Sequence, residues 1–232
     1  MKKVAVCLLV ISSLFMFMKI DRVSADQLKT ESVTVKKTND VFQDFIENAP
    51  IDDIDVIQTS GDVISKGISM EIKKNLKHQN YEAVLRGLEE HGLSLRYIED
   101  NINPMLIQPY SIGSTVNRTV HVYHLEYDNT KKFRKEWSTA LKISYRENSN
   151  GTFTALGNPT VNVSANFGAA FTEEVSNIST GYRYTSGNRG IDFYASYRMR
   201  GRVVIPIEIG GVEIPLGKWY DWGYVNPTYK LR

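Results

Sequence analysis

The chain has 232 residues, with 28 basic and 26 acidic side chains and a formal net charge of +2. This near balance, without a basic block, excludes the usual electrostatic basis of nucleic-acid binding. The single cysteine, Cys7, excludes a fold held by internal disulfide bonds, so the protein must be stabilised by the burial of apolar side chains.

Residues 1–25 are typical of a secretory signal peptide. Lys2 and Lys3 precede an uncharged apolar run over residues 4–18, and we predict cleavage after Ala25. The run is shorter than the roughly 20 residues of a membrane span, and an uncleaved N-terminal anchor is the alternative. The leader holds four basic and one acidic side chain, so its removal from a chain of net charge +2 leaves about −1. We expect a secreted, extracellular protein, with cell-wall association as a further option, from a Gram-positive bacterium, because the rest of the chain lacks cysteine.

The remaining sequence divides into three parts by composition. Residues 26–37 contain no long apolar run and are expected to form a flexible N-terminus. Residues 38–103 are rich in charged side chains with helical spacing, and we predict a small helical region. Residues 111–232 are rich in Tyr, Val, Thr, Ser and Gly at alternating positions, and we predict an antiparallel β-domain.

Three helices are predicted in the first of these regions. One begins at an N-cap formed by Asn39 or Asp40 and ends before Pro50. The second spans residues 61–77, where isoleucine or leucine recurs at every fourth position from Ile64. The third begins after Asn80 and ends at Gly92. The residues following Pro50 are interpreted as a charged loop that enters a short strand.

The second half contains seven or eight predicted strands. Over residues 136–147, alternate side chains from Trp137 are apolar, which is typical of a half-buried antiparallel strand. Residues 186–190 have the composition of a hairpin loop, and Gly210-Gly211 suits a two-residue turn. The predicted fold class is α+β: a small N-terminal helical region followed by an antiparallel β-sandwich or barrel.

No pattern in the sequence indicates a catalytic or metal site. His121 and His124 lie three positions apart in a predicted strand, so they point to opposite faces and do not ligate one metal. The chain contains no nucleophile motif around a serine and no phosphate-binding glycine loop. We therefore predict no catalytic residues, no metal and no cofactor, and we favour a protein that is not an enzyme.

The stretch KWYDWGY, residues 218–224, holds two of the three tryptophans. As a regular strand it would place Tyr220, Trp222 and Tyr224 on one face and Trp219 on the other. Such an aromatic row is either a ligand-binding platform or part of the core, and core is the commoner cause. The candidate ligand-binding residues are Trp219, Tyr220, Trp222 and Tyr224.

A second candidate surface combines tyrosine with arginine in residues 181–202. Tyrosines 182 and 184 lie close in sequence to five arginines, at positions 183, 189, 198, 200 and 202. This combination is common in protein contact surfaces, and it also occurs in ordinary cross-strand pairs.

The predicted function is that of a secreted, non-catalytic binding or interaction protein with an unidentified extracellular or cell-wall partner. One alternative is a membrane-acting toxin or bacteriocin-like protein. Residues 160–185 alternate small polar side chains with apolar ones, as the strands of membrane β-barrels do. Glu173 and Glu174 interrupt this alternation, so membrane contact is not favoured. The other alternative is a hydrolase whose site is not visible in the sequence.

Overall fold

The computed structural model describes residues 35–37, 40–58, 64–100, 113–168, 171–185, 187–203, 205–209 and 212–232. The predicted signal peptide and most of the predicted flexible segment lie outside these residues, as do the Gly210-Gly211 turn and most of the connector between the two halves. Residues 35–37, at the end of the segment predicted to be flexible, form a short strand.

Three α-helices occur among the described residues: α1 (Val41–Asn48), α2 (Lys66–Lys77) and α3 (Tyr81–His91). Their ends follow local signals. The side chains of Asp40 and Asn80 accept hydrogen bonds from the backbone N–H groups of Gln43 and Ala83, and Gly92 ends α3 with a φ of 59°. The three predicted helices are therefore confirmed, with α2 beginning later than predicted.

Thirteen strands are described. They are β1 (Val35–Lys37), β2 (Asp55–Gln58), β3 (Leu93–Asp100), β4 (Thr115–Tyr127), β5 (Arg134–Glu147), β6 (Phe153–Ala155), β7 (Thr160–Ala165), β8 (Phe171–Thr185), β9 (Gly190–Val203), β10 (Ile205–Ile209), β11 (Val212–Leu216), β12 (Trp219–Val225) and β13 (Thr228–Leu231). The strand β3 lies within the region predicted as helical.

The strands form two main sheets and a small hairpin. The first sheet has the order β1-β7-β5-β4-β3-β2, with β6 also paired to β5. Among its described strand pairs, β1–β7 is parallel and the others are antiparallel. In the second sheet the long strand β9 pairs with β8 on one side and with β12 and β13 on the other. Strands β10 and β11 pair only with each other among the described strands.

The layers are a helical layer, the first sheet and the second sheet. One face of the first sheet packs against the helices, burying Leu95 and Tyr123 with Phe42 and Leu88. Its other face packs against the second sheet around the fully buried Trp137. The predicted α+β class is confirmed, and the two sheets are arranged as a sandwich.

Candidate ligand-binding surface

A β-bulge in β12 determines where the predicted aromatic residues lie. β12 pairs with β9 so that Trp219 lies opposite Arg202 and Asp221 opposite Arg200, but the register then shifts between Asp221 and Gly223. Gly223 has a φ of 84°, a conformation that glycine adopts without the steric cost of a Cβ atom. The extra residue reverses the alternation of faces, so Tyr224 points to the same side as Trp219.

The four predicted residues are therefore divided between the core and the surface. Trp222 is only 6% exposed, and its ring centroid lies 4.7 Å from that of Phe167. Tyr220 is half-buried and packs edge-on against Phe133 at 4.6 Å. Trp219 and Tyr224 are 41% and 57% exposed. The predicted shared face of Tyr220, Trp222 and Tyr224 is wrong for Tyr224, because the regular alternation ends at the bulge.

Gly201 makes room for the buried rings of this region. It lies opposite Tyr220 on the inner face of β9. A Cβ atom at this position would lie 2.9 Å from Phe167, closer than real Cβ contacts, and 3.0 Å from Trp222, closer than most of them. The alternation of arginine with Met199 and Gly201 thus places apolar or small residues inward and the guanidinium groups outward.

Three arginines form a row on the outward face of β9, and we call Arg198, Arg200 and Arg202 the arginine row. The guanidinium carbons of Arg200 and Arg202 lie 5.2 and 5.6 Å from the centroid of the Trp219 ring. That of Arg198 lies 6.0 Å from the Tyr224 ring. These distances fit cation–π contacts, which hold the cations beside the exposed rings.

Two carboxylates fix part of the arginine row. Asp221 accepts two hydrogen bonds from Arg198, the one from Nε being 3.0 Å, and a third from the Gly223 N–H at 2.9 Å. These bonds, first those from Arg198, lower the pKa of Asp221 below its usual range. Glu174 on β8 pairs with Arg200. The pairs hold both arginine side chains in one geometry before any ligand arrives.

Arg202 and Tyr224 retain hydrogen-bonding capacity at opposite ends of the row. Arg202 Nε donates to the Gly217 carbonyl at 3.3 Å, and no carboxylate among the described side chains forms an ion pair with this arginine. The Tyr224 oxygen accepts a hydrogen bond from Asn177 Nδ2 at 3.1 Å, so its own O–H is still able to donate. The surface therefore offers donors at both ends.

The second predicted set, of tyrosines together with five arginines, does not form one surface. Tyr182 and Tyr184 form an edge-on pair at 5.5 Å, and Tyr184 Oη accepts a hydrogen bond from the Ala155 N–H at 3.0 Å. Arg183 pairs with Asp192, which also pairs with Arg232. Of the five predicted arginines, only those of the arginine row gather around exposed aromatic rings. The alternation of these three arginines in the sequence indicates that their side chains share one face of a strand. It does not indicate that β12 is the neighbouring strand whose rings they contact.

A cleft of about 440 Å³ lies at the edge of the helical layer and contains His121. His121 stacks on Tyr97 at 4.4 Å, and its Nε2 lies 3.0 Å from Glu99 Oε2. Burial lowers the pKa of this imidazole, against an opposing effect of Glu99. Ser138 and Ser164 line the same cleft, yet no hydrogen bond among the described residues joins either serine to His121. The arrangement lacks the nucleophile–base contact of hydrolytic sites.

The two central histidines point to opposite faces of the first sheet, as predicted. His121 faces the helical side, whereas His124 stacks on Trp137 between the sheets at 5.3 Å. Within the described part of the chain, no three His, Cys, Asp or Glu side chains gather closely enough to hold a metal ion.

Searches against protein-family models, curated proteins and solved structures found no match to this chain. None of the helices in the described ranges is both long and apolar enough to cross a membrane.

Proposed function

We propose that this chain is an exported, non-catalytic binding protein that engages an extracellular or cell-wall partner through the outward face of its second sheet. The leader-like residues 1–25 support export. The observation that carries the proposal of binding is the environment of Trp219. Its ring is 41% exposed and is contacted by the guanidinium groups of Arg200 and Arg202.

The physical reason is that this surface combines two properties that favour association. Tryptophan, tyrosine and arginine are the side chains most enriched among residues that dominate binding energy. The ion pairs of Arg198 with Asp221 and of Arg200 with Glu174 already restrict the arginine rotamers. Binding then costs less side-chain entropy than it would at a mobile surface.

The proposal predicts that Trp219→Ala removes binding without unfolding the protein. The measurement is co-sedimentation of the purified secreted chain with cell-wall preparations from several Gram-positive bacteria. We expect the apparent Kd to rise about tenfold or more, as for truncation of a central aromatic residue. The far-UV circular dichroism spectrum and the unfolding midpoint should stay close to those of the parent.

Two variants make this result specific. Met70→Ala removes another exposed apolar side chain, 71% exposed on α2, and should leave wall binding unchanged. Trp222→Ala removes a buried ring and should lower stability, because it leaves a cavity beside Phe167. Wall binding that survives Trp219→Ala, or that falls equally with Met70→Ala, contradicts the proposed function.

A further inference from the structure

The outward face of the second sheet carries more basic than acidic side chains. Six basic side chains and three acidic ones lie on this face, a surplus of three positive charges. The basic side chains are Arg183, Arg198, Arg200, Arg202, Lys230 and Arg232. The acidic ones are Glu174, Asp192 and Asp221. This surplus is larger than the net charge of +2 on the whole chain, so the face is more basic than the chain as a whole.

The geometry of the row fits an extended ligand better than a compact one. Trp219 and Tyr224 lie opposite Arg202 and Arg198, four residues apart along β9. At about 3.3 Å per residue, the two backbone positions that carry the rings are separated by about 13 Å along the strand. A ligand that contacts both rings must therefore run along the strand.

The two carboxylates between the ends of the row indicate how charge is distributed on this ligand. Asp221 and Glu174 neutralise Arg198 and Arg200, whereas Arg202 has no ion-pair partner among the described side chains. The face as a whole attracts anions, but a chain charged at every unit would place anionic groups next to these two carboxylates, which repel them. A chain in which anionic and neutral units alternate would place an anion at Arg202 and neutral hydroxyl groups, which donate hydrogen bonds, at the carboxylates.

From this arrangement, and resting on the proposed function of the same surface, we infer that the partner is an acidic polysaccharide whose carboxylate-bearing sugars alternate with neutral ones. Arg202 binds a carboxylate of the polymer, and the exposed face of Trp219 stacks on an adjacent sugar ring. The outward face of a sheet offers side chains rather than main-chain groups, which disfavours an extended peptide, since peptides of that kind add to a strand edge.

The test uses short oligosaccharides in which glucuronate alternates with a neutral N-acetylated amino sugar. Titration calorimetry on the full secreted chain should show binding that weakens as salt is added, because surface charge interactions are screened. Arg202→Gln should raise the Kd about tenfold or more, since it removes hydrogen bonds between charged groups. Arg189→Gln is the matched control, with the same change of charge at an exposed position in the β8–β9 loop, and it should have little effect.

Three further probes test other classes of ligand. Dextran oligosaccharides represent neutral sugars, polyphosphate represents a chain charged at every unit, and oligodeoxythymidylate represents single-stranded nucleic acid. The inference is overturned when any of them binds as tightly as the acidic oligosaccharide, or when Arg189→Gln and Arg202→Gln weaken binding equally. It is also overturned when the acidic oligosaccharide does not bind. Should Trp219→Ala still abolish wall binding in that last case, the proposed function stands and only the nature of the polymer is wrong.

Discussion

His124 and Glu126 are two titratable residues of β4 that point into the space between the sheets. His124 is 3% exposed, and its Nε2 lies 3.2 Å from Thr139 Oγ1, which in turn bonds to Tyr197. Its Nδ1 and Glu126 Oε1 are 3.9 Å apart, and neither atom has a hydrogen-bond partner among the described residues. This separation exceeds hydrogen-bonding distance, and a neutral imidazole does not form an ion pair.

Burial shifts the two pKa values in opposite directions. It lowers the pKa of His124 to about 3, so the ring is neutral at physiological pH. It raises the pKa of Glu126 to about 7. His124 therefore favours unfolding as the pH falls from its unfolded value of about 6.5 towards 3. Glu126 contributes stability below pH 4.5 that is lost as the pH rises through 7.

We predict that Glu126→Gln stabilises the protein at pH 8 and has little effect at pH 4. The amide resembles the protonated carboxyl, so it avoids the cost of a buried ionised group at high pH. The expected gain at pH 8 is about 1–3 kcal/mol in the free energy of unfolding. Denaturant titrations at both pH values measure this, and His124 does not affect the comparison because parent and variant share it. Glu90→Gln, at an exposed position on α3, should show no such dependence; an equal gain at both pH values would contradict the argument.

At the scale of the secondary-structure elements, the bulge in β12 links the fold to the proposed surface. Gly223 is required at a φ of 84°, because an L side chain in the left-handed region costs roughly 1–2 kcal/mol. We predict that Gly223→Ala lowers the free energy of unfolding by about this amount. We also expect it to weaken wall binding, because relaxation of the strand moves Tyr224 from the outward face. Urea unfolding and co-sedimentation measure the two effects.

The control for this substitution is Gly67→Ala in α2. No atom lies within 4 Å of a Cβ built there, and alanine is the better helix former by about 0.5–1 kcal/mol. This variant should be as stable as the parent or more stable, with wall binding unchanged. A Gly223→Ala protein with the stability and the binding of the parent would show that the bulge does not position Tyr224.

Local signals in the sequence explain which elements were predictable. Asp40, Asn80 and Gly92 act on residues within one helical turn, and the helices they delimit were predicted. Gly223 is a local sign of the bulge in β12, because a glycine inside a strand often marks one. It does not show which rings are buried: Trp222 packs against Phe167, which is 55 positions away in sequence. The candidate surface was therefore predicted only in part: Trp219 and Tyr224 are exposed, whereas Trp222 is in the core.

The strand β3 shows a different reason for a missed element. It begins at Leu93, directly after the glycine that ends α3, so no loop separates the helix from the strand. The alternation of Leu93, Leu95 and Tyr97 was a strand signal, but the composition of the surrounding region indicated helices. β3 is part of the first sheet because it pairs with β4, from Leu95 opposite Tyr123 to Asp100 opposite Arg118.

At the scale of the whole described fold, the first sheet takes part in two cores. One contains the α3 residue Leu88 and the β4 residue Tyr123, and the other contains Leu141 of β5 together with residues of β9. Because both cores share the strands of one sheet, loss of either removes support from the strands that carry the other. The arrangement favours unfolding as one cooperative unit.

This shared sheet leads to a prediction for Leu88→Ala and Leu141→Ala, which truncate fully buried side chains in the two cores. Each should lower the free energy of unfolding by about 2–5 kcal/mol, from lost burial and the cavity left behind. In both variants, far-UV circular dichroism and tryptophan fluorescence should give the same denaturant midpoint. The fluorescence reports mainly on the sandwich core, since two of the three tryptophans, Trp137 and Trp222, are buried there. If the helical signal of Leu88→Ala is lost at a lower denaturant concentration than that at which the fluorescence changes, the helical layer unfolds on its own. The sandwich that carries the arginine row would then be stable without the helices.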